Sequence, residues 1–312
     1  MPATTTPAPQ ELRTHDGLRL AVRLDGPDSV DGRPPLTVVL AHCWTADRED
    51  WHHQVHDLLA AYGGRIRVLT WDARGHGDSD AAPTAACTIA DLGRDLGDLL
   101  DAFAPTGRLV LAGHSIGGMT LMALAEQRPD LVERVDGVLF CATSSGGLDT
   151  VTLGIPGAGG TRVREQIPRL LATRARSLSR SKRRRTPLTE RMIVRRYLFG
   201  DVKPPRDVGL VVDQIINCPP TTMEGFYRDL MGHERGPALA AYAGRPVTVV
   251  VGSADRLTAP RHARAIAAAC PGARLLVAPG AGHMLTLERP RLVSTLLAEL
   301  VDGAIAREAL RR

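Results

Sequence analysis

The chain has 312 residues, of which 44% are hydrophobic and only 4% aromatic, enough apolar material for a large buried core. Its longest apolar runs, at 108–113 and 246–252, have strand length and are too short to span a membrane. The formal charge of +5 is uneven: residues 162–206 hold 15 Lys/Arg against 3 Asp/Glu, leaving 24 against 31 elsewhere, so a mildly acidic body carries one strongly basic insert.

Residues 1–16 lack a basic start and an apolar stretch, so no signal peptide is expected, and they read as a frayed Pro/Thr-rich lead-in. Segments 18–24 and 36–41 read as strands, β-branched or apolar and bounded by Asp, Gly and Pro. Another strand at 67–71 runs into the turn-rich DARGHGDSD. Ile89, Leu92, Leu96, Leu99, Leu100 and Phe103 recur at helical spacing. A strand (109–113), a helix (116–128) and a strand (135–142) follow. The rhythm resumes with a strand at 247–252, a helix at 262–270, a strand at 274–278 and a helix at 291–300. This alternation predicts an α/β fold, with a mostly parallel sheet covered by helices on both faces.

The rhythm is interrupted from about 144 to 242. This stretch is Gly-rich at first and then helical and Arg-rich, with breaks at Pro187, Pro204–Pro205 and Pro219–Pro220. An excursion of that length between two strands predicts an inserted helical cap. The expected organisation is a core of 1–143 and 243–312 with a cap of 144–242.

The sharpest local signal is Gly113-His114-Ser115-Ile116-Gly117-Gly118, a G-x-S-x-G between a buried strand and a helix. A serine in such a turn has a strained backbone and leaves no room for a Cβ at 113 or 117. Its hydroxyl sits at a helix N-terminus, whose free N–H groups favour developing negative charge. A serine needs a base and an orienting acid to act as a nucleophile. Asp255 follows the VTVVVG strand and His283 lies in the loop after the next strand. The chain order Ser, Asp, His is one that this arrangement uses. Ser115, Asp255 and His283 are therefore the candidate catalytic residues.

With these loops, LAHCWTADREDW (40–51) and WDARGHGDSD (71–80), the chain resembles the lid-bearing α/β-hydrolase superfamily, in its serine esterase, lipase and peroxidase-like branch. The resemblance covers about 17–143 and 244–300, and the insert matches only in position. It implies an oxyanion hole made by the backbone N–H groups of Trp44 and Ile116, each donor worth about 3 kcal/mol in the transition state. The sequence departs from the family pattern at Cys43, where glycine is usual, and a side chain there is expected to narrow the pocket or restrict the loop. Arg74 and Asp78 are expected to fix the DARGHGDS turn with Gly75 and Gly77, and His42 and His114 to support loops.

Members that open epoxides or displace halide carry aspartate at the elbow. Serine at 115 directs the chemistry to acyl transfer and leaves esters, thioesters, lactones and some carbon–carbon bonds beside a carbonyl open. A carboxylic ester is the leading substrate class. A CoA- or carrier-linked thioester is the alternative, and a non-catalytic ligand-binding relative the second. The basic insert admits a solvated helix, docking of an acidic carrier protein, or contact with an anionic surface. Nucleic acid is not an expected partner.

No cofactor is expected, because neither a P-loop nor a strand-linked GxGxxG occurs. His52 and His56 are four apart on a predicted helix, a spacing able to hold a metal, but no third ligand is apparent and no metal centre is expected. The five cysteines are scattered without ligand-like or disulfide-like spacing, which points to a reducing, cytoplasmic setting.

Overall fold

The computed structural model describes residues 10–150 and 188–310, together with Arg162 and Gln166. Eight strands form one sheet in the order β1-β2-β4-β3-β5-β6-β7-β8. They are β1 Gln10–Arg13, β2 Arg19–Asp25, β3 Leu36–Ala41, β4 Ile66–Trp71, β5 Leu109–His114, β6 Val135–Cys141, β7 Val247–Gly252 and β8 Arg274–Ala278. The first two ladders, β1–β2 and β2–β4, are antiparallel and the rest parallel. The longer helices are α1 His52–Tyr62, α2 Ile89–Phe103, α3 Ile116–Gln127, α4 Leu188–Tyr197, α5 Pro205–Asn217, α6 Pro220–Met231, α7 Pro260–Ala269 and α8 Pro290–Leu310.

The central strands are buried along their whole length, as a sheet covered on both faces requires. Alternate residues divide between two cores, because successive side chains on a strand face opposite ways. Val39, Leu69, Leu111, Phe140 and Val249 pack with Leu96 and Leu100 of α2 and Leu121 and Leu124 of α3. Val38, Leu40, Val68, Val110 and Val250 pack on the other face with Leu58 of α1 and Val293, Leu297 and Leu300 of α8. Thr88 caps α2, its hydroxyl accepting the Asp91 N–H at 3.0 Å, which satisfies one of the helix's free donors.

The structure corrects the reading of residues 1–16 as a frayed lead-in. Gln10–Arg13 is an edge strand, paired with Arg19–Val22. Four polar-rich residues (QELR) carry little apolar pattern, so pairing with β2 rather than local sequence makes this segment a strand.

The insert between β6 and β7 is helical in its described part, through α4, α5 and α6. A 3₁₀ segment, Gly236–Tyr242, then returns to the core: Leu239 and Tyr242 are fully buried, and the Tyr242 hydroxyl donates to the Leu121 carbonyl at 2.8 Å. The Arg-rich stretch 162–185 lies outside the described residues except for Arg162 and Gln166, and with it the readings of carrier or surface docking. Among the described residues no helix is long and apolar enough to cross a membrane.

Candidate active site

Ser115 sits between β5 and α3 with φ +55° and ψ −117°, a left-handed conformation that a side-chain-bearing residue adopts only under constraint. The constraint is visible on both sides. A Cβ on Gly113 would run into the Gly117 and Gly118 backbone, and one on Gly117 into the Ala41 carbonyl. The Ser115 N–H donates to the Cys141 carbonyl at 2.9 Å, and the Thr143 hydroxyl donates to the Ser115 carbonyl at 2.6 Å. Neighbouring strands β3 and β6 thus clamp the turn.

Asp255 and His283 meet directly, with His283 Nδ1 2.9 Å from Asp255 Oδ2. Asp255 also accepts the Leu257 N–H (2.8 Å) and the Thr258 N–H (2.9 Å) and hydroxyl (2.8 Å). Burial pushes its carboxyl pKa up, but the facing His283 and these donors outweigh burial and leave it below the usual carboxylate value. An ionised carboxylate only accepts, so Nδ1 donates this bond and Nε2 is the ring nitrogen left to other partners. Neither Ser115 Oγ nor His283 Nε2 has a hydrogen bond among the described residues. Ser115 remains 9% exposed.

The serine turn and the His283 loop are joined one residue away. His114 Nε2 lies 2.9 Å from the His283 carbonyl, and its Nδ1 lies 2.7 Å from Asp50 Oδ2. A carbonyl and a carboxylate both accept, so both ring nitrogens donate and the imidazole is charged. Burial opposes that charge, yet Asp50 holds the His114 pKa well above the ordinary histidine value. Burial likewise works against the Asp50 carboxylate, and His114 with the Thr286 hydroxyl keeps it low.

The Trp44 and Ile116 N–H groups have no hydrogen-bond acceptor among the described residues. The neighbouring Cys43 N–H is occupied by Asp50 Oδ2 at 3.1 Å. Cys43 tolerates its side chain because the left-handed residue of this loop is Thr45, with φ +64°, so no glycine is needed at 43. Cys43 belongs to a buried cluster with Ala46, Val208, Val212 and Met284, and burial raises its thiol pKa. Trp44, Ile116, Met119, Leu148, Phe226 and Leu230 form an apolar cluster reaching from the elbow to α6.

Several expectations change in detail. Arg74 reaches away from the turn it was expected to fix. It makes a bidentate pair with Asp95 of α2 (2.7 and 2.6 Å) and a further pair with Asp16. The turn itself is closed by Asp72, whose carboxylate accepts the N–H groups of Arg48 and Asp78, while Gly75 and Gly77 take φ of +74° and +50°. His42 supports its loop, donating to the Cys43 carbonyl and accepting the Ala73 N–H. His52 and His56 are not brought together: exposed His56 pairs with Asp57, whereas His52 stacks on His53.

Sequence reasoning missed Asp50, Thr258 and Glu288. The Glu288 carboxylate accepts the N–H groups of Gly282 (3.0 Å) and Gly200 (2.7 Å), and Leu198 accepts the His283 N–H at 2.8 Å. The loop bearing His283 is therefore stitched to the main chain of the insert. Only the spacing of Asp255 and Thr258, one helical turn apart in a loop, offered a local signal.

The alpha/beta hydrolase family model matches residues 38–296. A mouse (Mus musculus) protein named sn-1-specific diacylglycerol lipase ABHD11 is 29% identical over 227 residues, 72% of this chain and 68% of its own. A thermophilic esterase from Thermogutta terrifontis superposes with TM-score 0.73 at 24% identity, over 96% of this chain and 99% of its own. An enol-lactonase from Burkholderia xenovorans LB400 does so with TM-score 0.71 at 22% identity, over 94% and 100%. With a family model spanning most of its length and a sheet of the same architecture, the chain belongs to the alpha/beta hydrolase family.

Proposed function

We propose that the protein is a serine hydrolase that cleaves carboxylic esters through an acyl-serine intermediate. Ser115 Oγ attacks the ester carbonyl while His283 Nε2 takes its proton, and Asp255 holds the ring and stabilises its positive charge. The N–H groups of Trp44 and Ile116 receive the developing oxyanion. The intermediate collapses as His283 returns its proton to the leaving alkoxide. The same imidazole then deprotonates a water, which hydrolyses the acyl-serine and restores the hydroxyl.

The observation that carries this reading is the left-handed Ser115 at the start of α3, together with Trp44 and Ile116 N–H groups that have no acceptor among the described residues. Ser115 and His283 share no hydrogen bond among the described residues, and contacts of this kind tighten in the reacting complex. The mouse relative, named as a diacylglycerol lipase, supports the ester class, and the cluster around Trp44 favours an apolar acyl or alcohol group. Residues 144–242 would act as the cap over the site, with 1–143 and 243–312 as the core.

The test is turnover of a short-chain aryl ester beside an acyl-CoA, by the wild type and His283→Ala. Ester hydrolysis that falls at least about 10³-fold in the variant is expected. Strong preference for the acyl-CoA would move the substrate class to thioesters. Turnover of neither, in folded protein, would contradict the reading.

A further inference from the structure

Away from Ser115, two adjacent histidines and an aspartate meet where the insert touches the core. His52 and His53 open α1, and Asp207 lies in the first turn of α5. His52 Nε2 is 3.7 Å from Asp207 Oδ1, and His53 Nε2 is 3.5 Å from Asp207 Oδ2. All three donor atoms lie within 4.8 Å of one another.

The hydrogen-bond geometry singles this cluster out. His52 Nδ1 is 2.8 Å from the Glu49 carbonyl, which only accepts, so Nδ1 donates there and Nε2 is the nitrogen turned toward Asp207. That Nε2 is buried and has no hydrogen-bond partner among the described residues. It faces a carboxylate that is itself 5% exposed, and whose one hydrogen bond among the described residues is the long contact to His53. A buried ring nitrogen without a partner beside a buried carboxylate with one long hydrogen bond leaves a place for a bound ion.

We propose that His52, His53 and Asp207 form a binding site for a divalent transition-metal ion of the zinc class, which would clamp α5 of the insert onto α1 of the core. Two imidazoles and a carboxylate are a ligand set that zinc takes, with a fourth position left for water. Metal–ligand bonds of about 2.0–2.1 Å in tetrahedral geometry put ligand atoms roughly 3.4 Å apart, and each histidine lies near that spacing from one of the two Asp207 oxygens. The Glu49 carbonyl supplies the outer contact that fixes a ligating imidazole. His53, whose side chain is 35% exposed, leaves the ion a path from solvent.

A second cluster, Cys43, Asp50 and His114, has comparable proximity. It has no free ligand atom on His114, because both ring nitrogens donate to oxygen. The clamp bears on the reaction centre through packing: Val208, Val211 and Val212 of α5 contact the cluster containing Cys43, Met284 and Leu287. The site does not depend on the ester reading.

The experiment is calorimetric titration of the chelator-treated full chain with zinc chloride, with cobalt(II) absorption as a second readout. One ion per chain, the visible bands of low-coordinate cobalt and a higher Tm with zinc are expected. Asp207→Asn, His52→Gln and His53→Gln should each weaken binding at least about tenfold, while Cys43→Ser and His56→Ala leave it unchanged. The Tm of each metal-free variant reports whether it folds, and any one folded variant suffices. No uptake by the wild type, undiminished uptake in the folded variants, or loss only in Cys43→Ser would overturn the proposal.

Discussion

His114 Nε2 donates a hydrogen bond to the main-chain carbonyl of His283 across 2.9 Å. The residue before the candidate nucleophile thereby holds the loop that carries the candidate base. Its other nitrogen is anchored by Asp50, and both side chains are fully buried. The pair acts through position, because it meets the His283 backbone and not its ring.

Breaking this pair should misplace the base before it unfolds the protein. His114→Gln is expected to lower kcat by about 10–100-fold with KM little changed, measured by steady-state ester hydrolysis.

Asp50→Asn leaves a charge in the core and should cost about 3–5 kcal/mol, as broken buried pairs do. The lowered Asp50 pKa gives stability that is present above the ordinary carboxyl value and lost as acid passes the folded value. The raised His114 pKa gives stability that is complete below the ordinary imidazole value and fades as pH rises toward the folded one. The Tm gap between wild type and variant should be widest between about pH 4 and 6.5 and should narrow on either side. A gap that widens steadily above neutrality would exclude the charged pair.

Arg74→Lys tests the link between the loop after β4 and helix α2. Arg74 is fully buried and bidentate to Asp95, a geometry that an ammonium cannot reproduce. A loss of about 2–4 kcal/mol in urea-unfolding free energy is expected, with the chelated and zinc-loaded forms affected alike.

All five cysteines are buried. A thiol reagent at neutral pH should therefore modify almost nothing in the native chain and all five sites after unfolding. Burial raises the Cys43 thiol, and Cys87 and Cys141 are pushed up to about 11 and about 12, so few thiolates are available to react. Rapid native labelling of Cys43 would show that its loop opens readily.

The fold was legible because its signals are local. Buried β-branched strands alternate with 3.6-period helices, and Gly113-x-Ser115-x-Gly117 lies at one such junction. Asp255 and His283 were legible from their places after two strands. Asp50 was not, because an aspartate in an acidic turn before a helix reads as a cap and its partner His114 is 64 positions away. Glu288 and Asp207 were hidden for the same reason, since each contacts segments that only the folded chain brings near. The edge strand Gln10–Arg13 was missed because pairing with β2, and not composition, makes it a strand.

The claim that Ser115 is the nucleophile has one direct test. After treatment with a fluorophosphonate, intact-mass and peptide mass spectrometry should find a single adduct on Ser115, absent from Ser115→Ala and much slower to form in His283→Ala. Label retained by Ser115→Ala, or mapped to another residue in the wild type, would contradict the account.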